Sequence, residues 1–342
     1  MKEHQPEQLL QQLVPELSAI FQLRYRILQT IAVSGPIGRR TILEVLNITE
    51  RTVRNETTLL NNQNLVETTQ KGMICTPKGY ELLEGLKETF QQISGLSFKE
   101  KKLSEILGIK KVIIVPGDVD IDSSIKQLLG KEASEFLTNI AGKDDIVAVT
   151  GGSSIAAMAN FLSPVKSLGT LTFVAARGSL GNELNVEANT LVTKFASQCG
   201  AQSRTLFLPE NLSETAYNAM IQEPMVKDIL NLYEQTNIVI HGIGSAQEMA
   251  IRRQSSESII ERLRNEKAVG EAFGYYFDEN GEIIYRINTI GIQLEQVKDS
   301  QNIIAVAGGS TKAKAILAYF KKDAAKQTVL VTDEGAANGI LN

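Results

Sequence analysis

The apolar positions of the chain change their period near residue 110. Ahead of it they recur at three- and four-residue steps. Beyond it they bunch into short continuous runs. The first pattern specifies amphipathic helices and the second buried strands. In the front part Leu17, Ile20, Phe21, Leu23, Ile27, Leu28 and Ile31 predict one buried helix face, ended by SGPIG at Ser34 to Gly38. A short helix is predicted over Arg39 to Leu46. In the break that follows, Thr49 is placed to cap the next helix by accepting its free N–H groups. That helix, residues 50–64, buries Val53, Leu59 and Leu60 and turns Arg51, Thr52, Arg54 and Asn55 outward. LVETTQKGMICT reads as two short strands around Gln70, Lys71 and Gly72, and Thr76 with Pro77 opens another helix. Tyr80, Leu82, Leu83, Leu86 and Phe90 form its packed stripe. Ser97 with Glu100 has the spacing of a capping box and starts a last helix ending at Gly108.

Helix, helix, tight turn, helix and hairpin is the order of a winged helix-turn-helix, in which the second helix of the pair enters the DNA major groove. Arginine can form two hydrogen bonds to guanine and asparagine two to adenine. Arg51, Thr52, Arg54 and Asn55, with Arg39 and Arg40 of the preceding helix, are therefore the candidate DNA-binding residues. From Arg24 to Arg54 six arginines face two acids, Glu44 and Glu50, a local excess of four positive charges. Phosphate binding depends on such an excess. The predicted organisation is a winged helix-turn-helix at 1–90, a helical linker at 91–110 and an effector and oligomerisation domain at 111–342. The linker helices either pair with those of a second copy or pack on the chain's own second domain.

After Lys111 seven β-rich runs alternate with helical stretches: VIIVPG (112–117), IVAVTGG (146–152), LTFVAARG (171–178), RTLFLP (204–209), IVIHGIG (238–244), IIAVAGG (303–309) and TVLVTDEG (328–335). Continuous apolar strands alternating with helices imply an α/β fold, a doubly wound, mainly parallel sheet covered on both faces. Ligands of such sheets bind outside the carboxyl ends of the strands. Four runs end in glycine turns there. TGGSS supplies Gly151, Gly152, Ser153 and Ser154, a strand–turn–helix junction suited to an anion. Arg177 and Gly178 follow in ARGSLG, and Lys312 follows a second such junction, AGGST. Two anion turns suit a ligand with two charged ends, such as a sugar bisphosphate. Neither turn has the spacing of a dinucleotide or nucleoside-triphosphate loop. GYYFDENGEIIY predicts a hairpin around Asn280 and Gly281 on the sheet's edge, and Asp333 or Glu334 caps the final helix.

Composition narrows the setting. The 342 residues are 43% hydrophobic and 22% charged, with a net charge of −4. Any nucleic-acid contact therefore rests on the local patch. Cys75 and Cys199 match no metal or redox spacing, no metal site is expected, and the start lacks a signal-peptide core. No run reaches the roughly 20 apolar residues of a membrane span. A cytoplasmic protein is expected. An enzyme reading, a sugar-phosphate isomerase or deaminase with a regulatory head, needs an acid–base group. Of the two histidines, His4 lies in the terminus and His241 is the candidate, though a strand-end histidine is more often structural, while Glu271 suits accepting hydrogen bonds from sugar hydroxyls rather than protons. An interaction module using the front helices on a protein partner is a third reading.

GPIGRR, VAVTGGSSI, ARGSLG, HGIG, EAFGYYF, IIAVAGGS and VLVTDEGAA, in that order, resemble the SorC family of bacterial regulators from about Leu17 to the C-terminus. The resemblance implies a repressor of central glycolytic genes, not an enzyme, that binds double-stranded operator DNA. It implies no cofactor beyond the effector fructose 1,6-bisphosphate, and homodimers pairing into tetramers on DNA. It implies an effector pocket of Ser153, Ser154, Arg177, Glu187, Arg252, Glu271 and Lys312. Three positions depart from the family pattern: Ser153 and Ser154 replace threonines after TGG, and Glu187 stands in place of glutamine. Ser245, Ala246 and Gln247 occupy the region where the related glucosamine-phosphate deaminases carry catalytic groups.

Overall fold

A computed structural model of the chain describes residues 13–181, 183–322 and 324–342; His4 lies outside them. The chain divides into two compact units. One runs to Lys101 and takes in Ile121–Ile125; the other comprises Lys102–Asp120 and Lys126–Asn342.

The first unit contains α1 (Pro15–Ser34), α2 (Arg39–Leu46), α3 (Glu50–Asn62), β1 (Val66–Thr69), β2 (Gly72–Cys75) and α4 (Pro77–Ile93). Its core joins Ile27, Leu28 and Ile31 of α1 to Ile42, Val53, Leu60, Val66 and Met73. Local chemistry sets the boundaries. Thr49 Oγ1 accepts from Thr52 N at 3.2 Å, and Thr76 Oγ1 accepts from Gly79 N at 3.1 Å. The strands pair antiparallel with Thr69 opposite Gly72. Gly72 has φ +134°, and a Cβ there would lie 2.8 Å from Ile37 N. That close approach lets Ile37 and Met73 exchange two backbone hydrogen bonds, which ties the wing to the chain between α1 and α2.

Three expectations for this region need correction. Leu17 and Ile20 are exposed, as are Tyr80 and Leu82. The 20 residues of α1 run about 30 Å, and apart from Ser18 its buried positions begin at Tyr25, so its first turns pass beyond the core. Tyr80 keeps its ring outside while its hydroxyl donates to Ala32 O at 3.0 Å. Finally, α5 (Leu96–Leu107) starts ahead of Ser97, so Ser97 sits in its first turn rather than at its cap. The break is made by Gly95, with φ +75°.

The second unit is built on a seven-stranded, wholly parallel sheet in the order β3-β13-β12-β7-β4-β5-β6. The strands are β3 (Lys111–Val115), β4 (Ile146–Val149), β5 (Thr172–Ala175), β6 (Gln202–Arg204), β7 (Ile238–His241), β12 (Asn302–Val306) and β13 (Thr328–Asp333). The connecting helices are α6 (Ile125–Ile140), α7 (Ser153–Ala156), α8 (Ala188–Cys199), α9 (Glu214–Met220), α10 (Pro224–Glu234), α11 (Ala246–Arg252), α12 (Glu257–Asn265), α13 (Leu294–Asp299), α14 (Ala313–Lys321) and α15 (Glu334–Leu341). Asp333 caps α15, its Oδ1 accepting from Ala336 N at 2.8 Å, while Glu334 lies inside the helix.

Two strand expectations shift. The run RTLFLP leaves the sheet after Arg204, because Asn189 takes both backbone groups of Leu206. Its amide donates to Leu206 O at 2.9 Å, and its oxygen accepts from Leu206 N at 2.7 Å. The Asn280 hairpin forms, but in a separate antiparallel sheet and not on the edge of the parallel one. That sheet runs β11 (Ile283–Arg286), β10 (Tyr275–Phe277), β9 (Gly270–Ala272), β8 (Gly244–Ser245). It packs through Tyr276 and Ile287 on Ala246, Ala250 and Leu263.

Candidate functional site

The carboxyl ends of β4, β5, β7 and β12 open on one crevice of about 320 Å³. Gly151, Gly152, Ser153, Ser154, Arg177, Gly178, Glu187, Arg252, Glu271 and Lys312 all line it. Gly152 holds φ +140°, and a Cβ on Gly151 would stand 2.7 Å from Val186 O. Both glycines are thus required by the backbone path. The turn opens α7, a single α-helical turn that tightens into a 3₁₀ turn at Ala157–Asn160. The helix of the expected strand–turn–helix junction is thus one turn long, so its dipole is small and positive charge has to come from side chains.

Arg177 supplies it. The residue is 5% exposed, with Nη2 2.6 Å from Glu210 Oε1. Its Nε and Nη1 are buried without a hydrogen-bond partner among the described residues. Gly274, φ +81°, makes room for the guanidinium: a Cβ there would meet Nη2 at 2.5 Å. Behind Arg177 runs an alternating chain of charges. Arg253 Nη2 reaches Glu210 Oε1 at 3.0 Å and Glu271 Oε1 at 2.9 Å, and Arg253 Nη1 donates to Tyr276 OH at 3.1 Å. Burial works to raise the Glu210 pKa, but Arg177 and Arg253 beside it hold the carboxyl below its usual range. Arg253 and Glu210 were missed by sequence reasoning. The only local signal was the doubled arginine of IRRQ at the end of α11, and nothing near Glu210 marks it.

Other expected residues are engaged in ways the sequence does not show. Glu187 accepts from Ser179 Oγ and from Gly181 N (2.6 Å), lacing the Gly178–Gly181 loop rather than presenting a bare charge. Arg252 Nη2 pairs with Glu183 Oε2 at 2.8 Å. Burial lowers the Lys312 pKa, with Glu248, Asp120 and Asp333 opposing and Lys126 adding to the effect. Lys126 and Glu248, also missed, line the crevice as well.

The second glycine turn departs from expectation. Gly309 N donates to Asp333 Oδ2 at 2.8 Å, Ser310 N to Asp118 Oδ1 at 3.3 Å and Thr311 N to Asp120 Oδ2 at 2.8 Å. AGGST is thus filled by the chain's own carboxylates, Asp118 and Asp120 from the loop after β3 and Asp333 from the end of β13. Of that junction only Val306 and Lys312 reach the crevice. His241 is fully buried against Phe273 and Tyr319, and burial pushes its pKa down to about 4.

In the first unit Arg39, Arg40, Arg51, Arg54 and Asn55 are exposed and Thr52 is half-buried. Thr52 is partly committed to the cap, its hydroxyl 2.8 Å from Thr49 Oγ1. Arg40 pairs at 3.1 Å with Glu44, already counted against the six arginines, and Arg24 pairs at 2.6 Å with Glu56, outside that count, which reduces the local positive excess by one.

A family model described as "Putative sugar-binding domain" matches residues 91–342, and one described as "CggR N-terminal DNA binding domain" matches residues 20–90. The central glycolytic genes regulator of Bacillus subtilis is 42% identical over 98% of this chain and 98% of its own length. A solved SorC-family regulator structure from Enterococcus faecalis superposes with a TM-score of 0.67 at 39% identity, over 71% of this chain and 99% of that one. The chain belongs to the SorC family of transcriptional regulators. The full-length SorC structure from Klebsiella pneumoniae, at 18% identity, shares the fold with a TM-score of 0.68 over 94% of this chain and 99% of that one. A SorC-family chain with these two domains is a transcriptional regulator and not an enzyme. Among its described residues no helix is long and apolar enough to cross a membrane.

Proposed function

We propose that this SorC-family regulator is a cytoplasmic repressor of central glycolytic genes. A phosphorylated sugar, foremost fructose 1,6-bisphosphate, weakens or remodels its grip on operator DNA. The observation that carries the ligand class is Arg177, a buried guanidinium with two nitrogens lacking acceptors beside the Gly151–Ser154 turn. A phosphate is the acceptor that fits such a planar fork together with backbone N–H and hydroxyl donors. In this reading the first phosphate takes Arg177, Ser153 and Ser154. Glu271 and Glu187 bound the sugar hydroxyls. Arg252 and Lys312 take the remaining charge, and Arg252 exchanges Glu183 for ligand.

Arg51, Arg54 and Asn55 then read base edges from α3, and Arg39, Arg40 and Thr52 set its register on the phosphates. A palindromic operator calls for a two-fold assembly, a homodimer that pairs into a tetramer on DNA. The ligand acts by binding one arrangement of the assembly better than the other. Replacement of Arg177 tests the ligand half. Arg177→Gln should weaken fructose 1,6-bisphosphate binding about 30-fold or more by calorimetry, the scale of a lost charge-assisted fork, while the protein keeps its operator affinity in the absence of sugar. Unchanged sugar affinity would remove Arg177 from the site.

A further inference from the structure

Gly309, Ser310 and Thr311 follow β12 as Gly152, Ser153 and Ser154 follow β4, and Gly309 and Gly152 hold φ +105° and +140°. The first turn presents its serines to the crevice. The second presents its donors to Asp120. Asp120 Oδ2 accepts from Thr311 N at 2.8 Å, Thr311 Oγ1 at 2.9 Å and Ser310 Oγ at 3.2 Å. Backbone N–H and hydroxyls converging on one oxygen are the donor set that turns of this kind give a phosphate. The fit is close: a Cβ on Gly309 would stand 2.6 Å from Asp120 Oδ1. Lys312, the next residue, lines the crevice and is faced by Asp120 and Glu248. Asp120 itself is exposed, whereas Asp333, which caps α15 and holds Gly309 N, is fully buried. Of the three carboxylates that fill the turn, with Asp118 half-buried, Asp120 is the exposed one, whose charge can be removed without opening the core.

We propose that Asp120 is a built-in stand-in for a second phosphate, and that it sets how far the crevice prefers doubly over singly phosphorylated sugars. The inference rests on the sugar-phosphate reading given above. A bisphosphate whose far phosphate reaches Lys312 must displace Asp120 or bind against its charge. A monophosphate held by Arg177 and the first turn meets neither obstacle. Removing the charge therefore helps the bisphosphate alone.

The test is calorimetric titration of the full chain with fructose 1,6-bisphosphate and fructose 6-phosphate, in wild type, Asp120→Asn and Asp120→Ala. Asparagine keeps an acceptor for Thr311 and loses the charge, so it stays informative if the alanine variant does not fold. The ratio of bisphosphate to monophosphate affinity is expected to rise about tenfold in Asp120→Asn and to shrink with added salt, the behaviour of one partly screened charge. A ratio that stays at the wild-type value, or a gain that both sugars share, overturns the role of Asp120 while the sugar-phosphate site stands. Wild-type protein that binds neither sugar overturns the site reading itself, and the Asp120 inference with it.

Discussion

The Arg177 guanidinium has a carboxylate on one nitrogen and no acceptor on two others, and the residue is 5% exposed. A buried charge persists only when it is paired. Glu210 provides the pairing, Arg253 balances Glu210, and Glu271 balances Arg253. The chain of four is neutral, so an incoming phosphate adds charge where donors are already in place. Single residues were legible where their chemistry is local: glycines, serines and a cation following an apolar strand mark a crevice. Glu210 and Arg253 were not, because their partnership joins positions 43 residues apart. Asp120 was not either, since nothing in GDVDID says that it fills a turn some 190 residues on.

His241 makes the residue scale measurable by pH. Burial holds its pKa at about 4 against an ordinary 6.5. The folded chain therefore keeps the ring neutral while the unfolded chain protonates it. The associated stability is fully present above pH 6.5 and is lost as pH falls toward 4, at most about 3 kcal/mol. Denaturant unfolding followed across that window should show the loss in wild type and a flatter profile in His241→Gln. Equal profiles would mean that the ring titrates normally.

At the scale of elements, periodicity and capping residues located the helices of the first unit and the strands of the second. Two of the misplacements share one cause, which is that tertiary partners override a local pattern. Asn189 draws Leu206 out of the β6 run, and β9 recruits the Asn280 hairpin into its own sheet. The apolar face of α1 outruns the core that could cover it, so periodicity alone overstates its burial. The cap at Thr49 sits where element and function meet, because it begins the helix carrying Arg51, Arg54 and Asn55. Thr49→Ala is expected to cost the first unit about 1 kcal/mol, read as a lower unfolding midpoint, and to weaken DNA binding as the first turn of α3 frays. An unchanged midpoint would show that the cap does not hold that turn.

Across the whole molecule, charge is divided unequally. The chain carries −4 overall, yet α2 and the start of α3 expose arginines. DNA affinity resting on so local a patch should fall steeply with salt. The crevice lies in the other unit, so a sugar can influence DNA only by favouring one conformational state over another, and only by its difference in affinity for the two. The most direct measurement is fluorescence anisotropy of labelled DNA from upstream of the glyceraldehyde-phosphate dehydrogenase operon of the source organism, titrated with protein without and with fructose 1,6-bisphosphate. Tight, salt-sensitive binding that the sugar loosens or remodels is the expected result. Binding that is the same with and without the sugar, or no binding preference for that DNA, would contradict it.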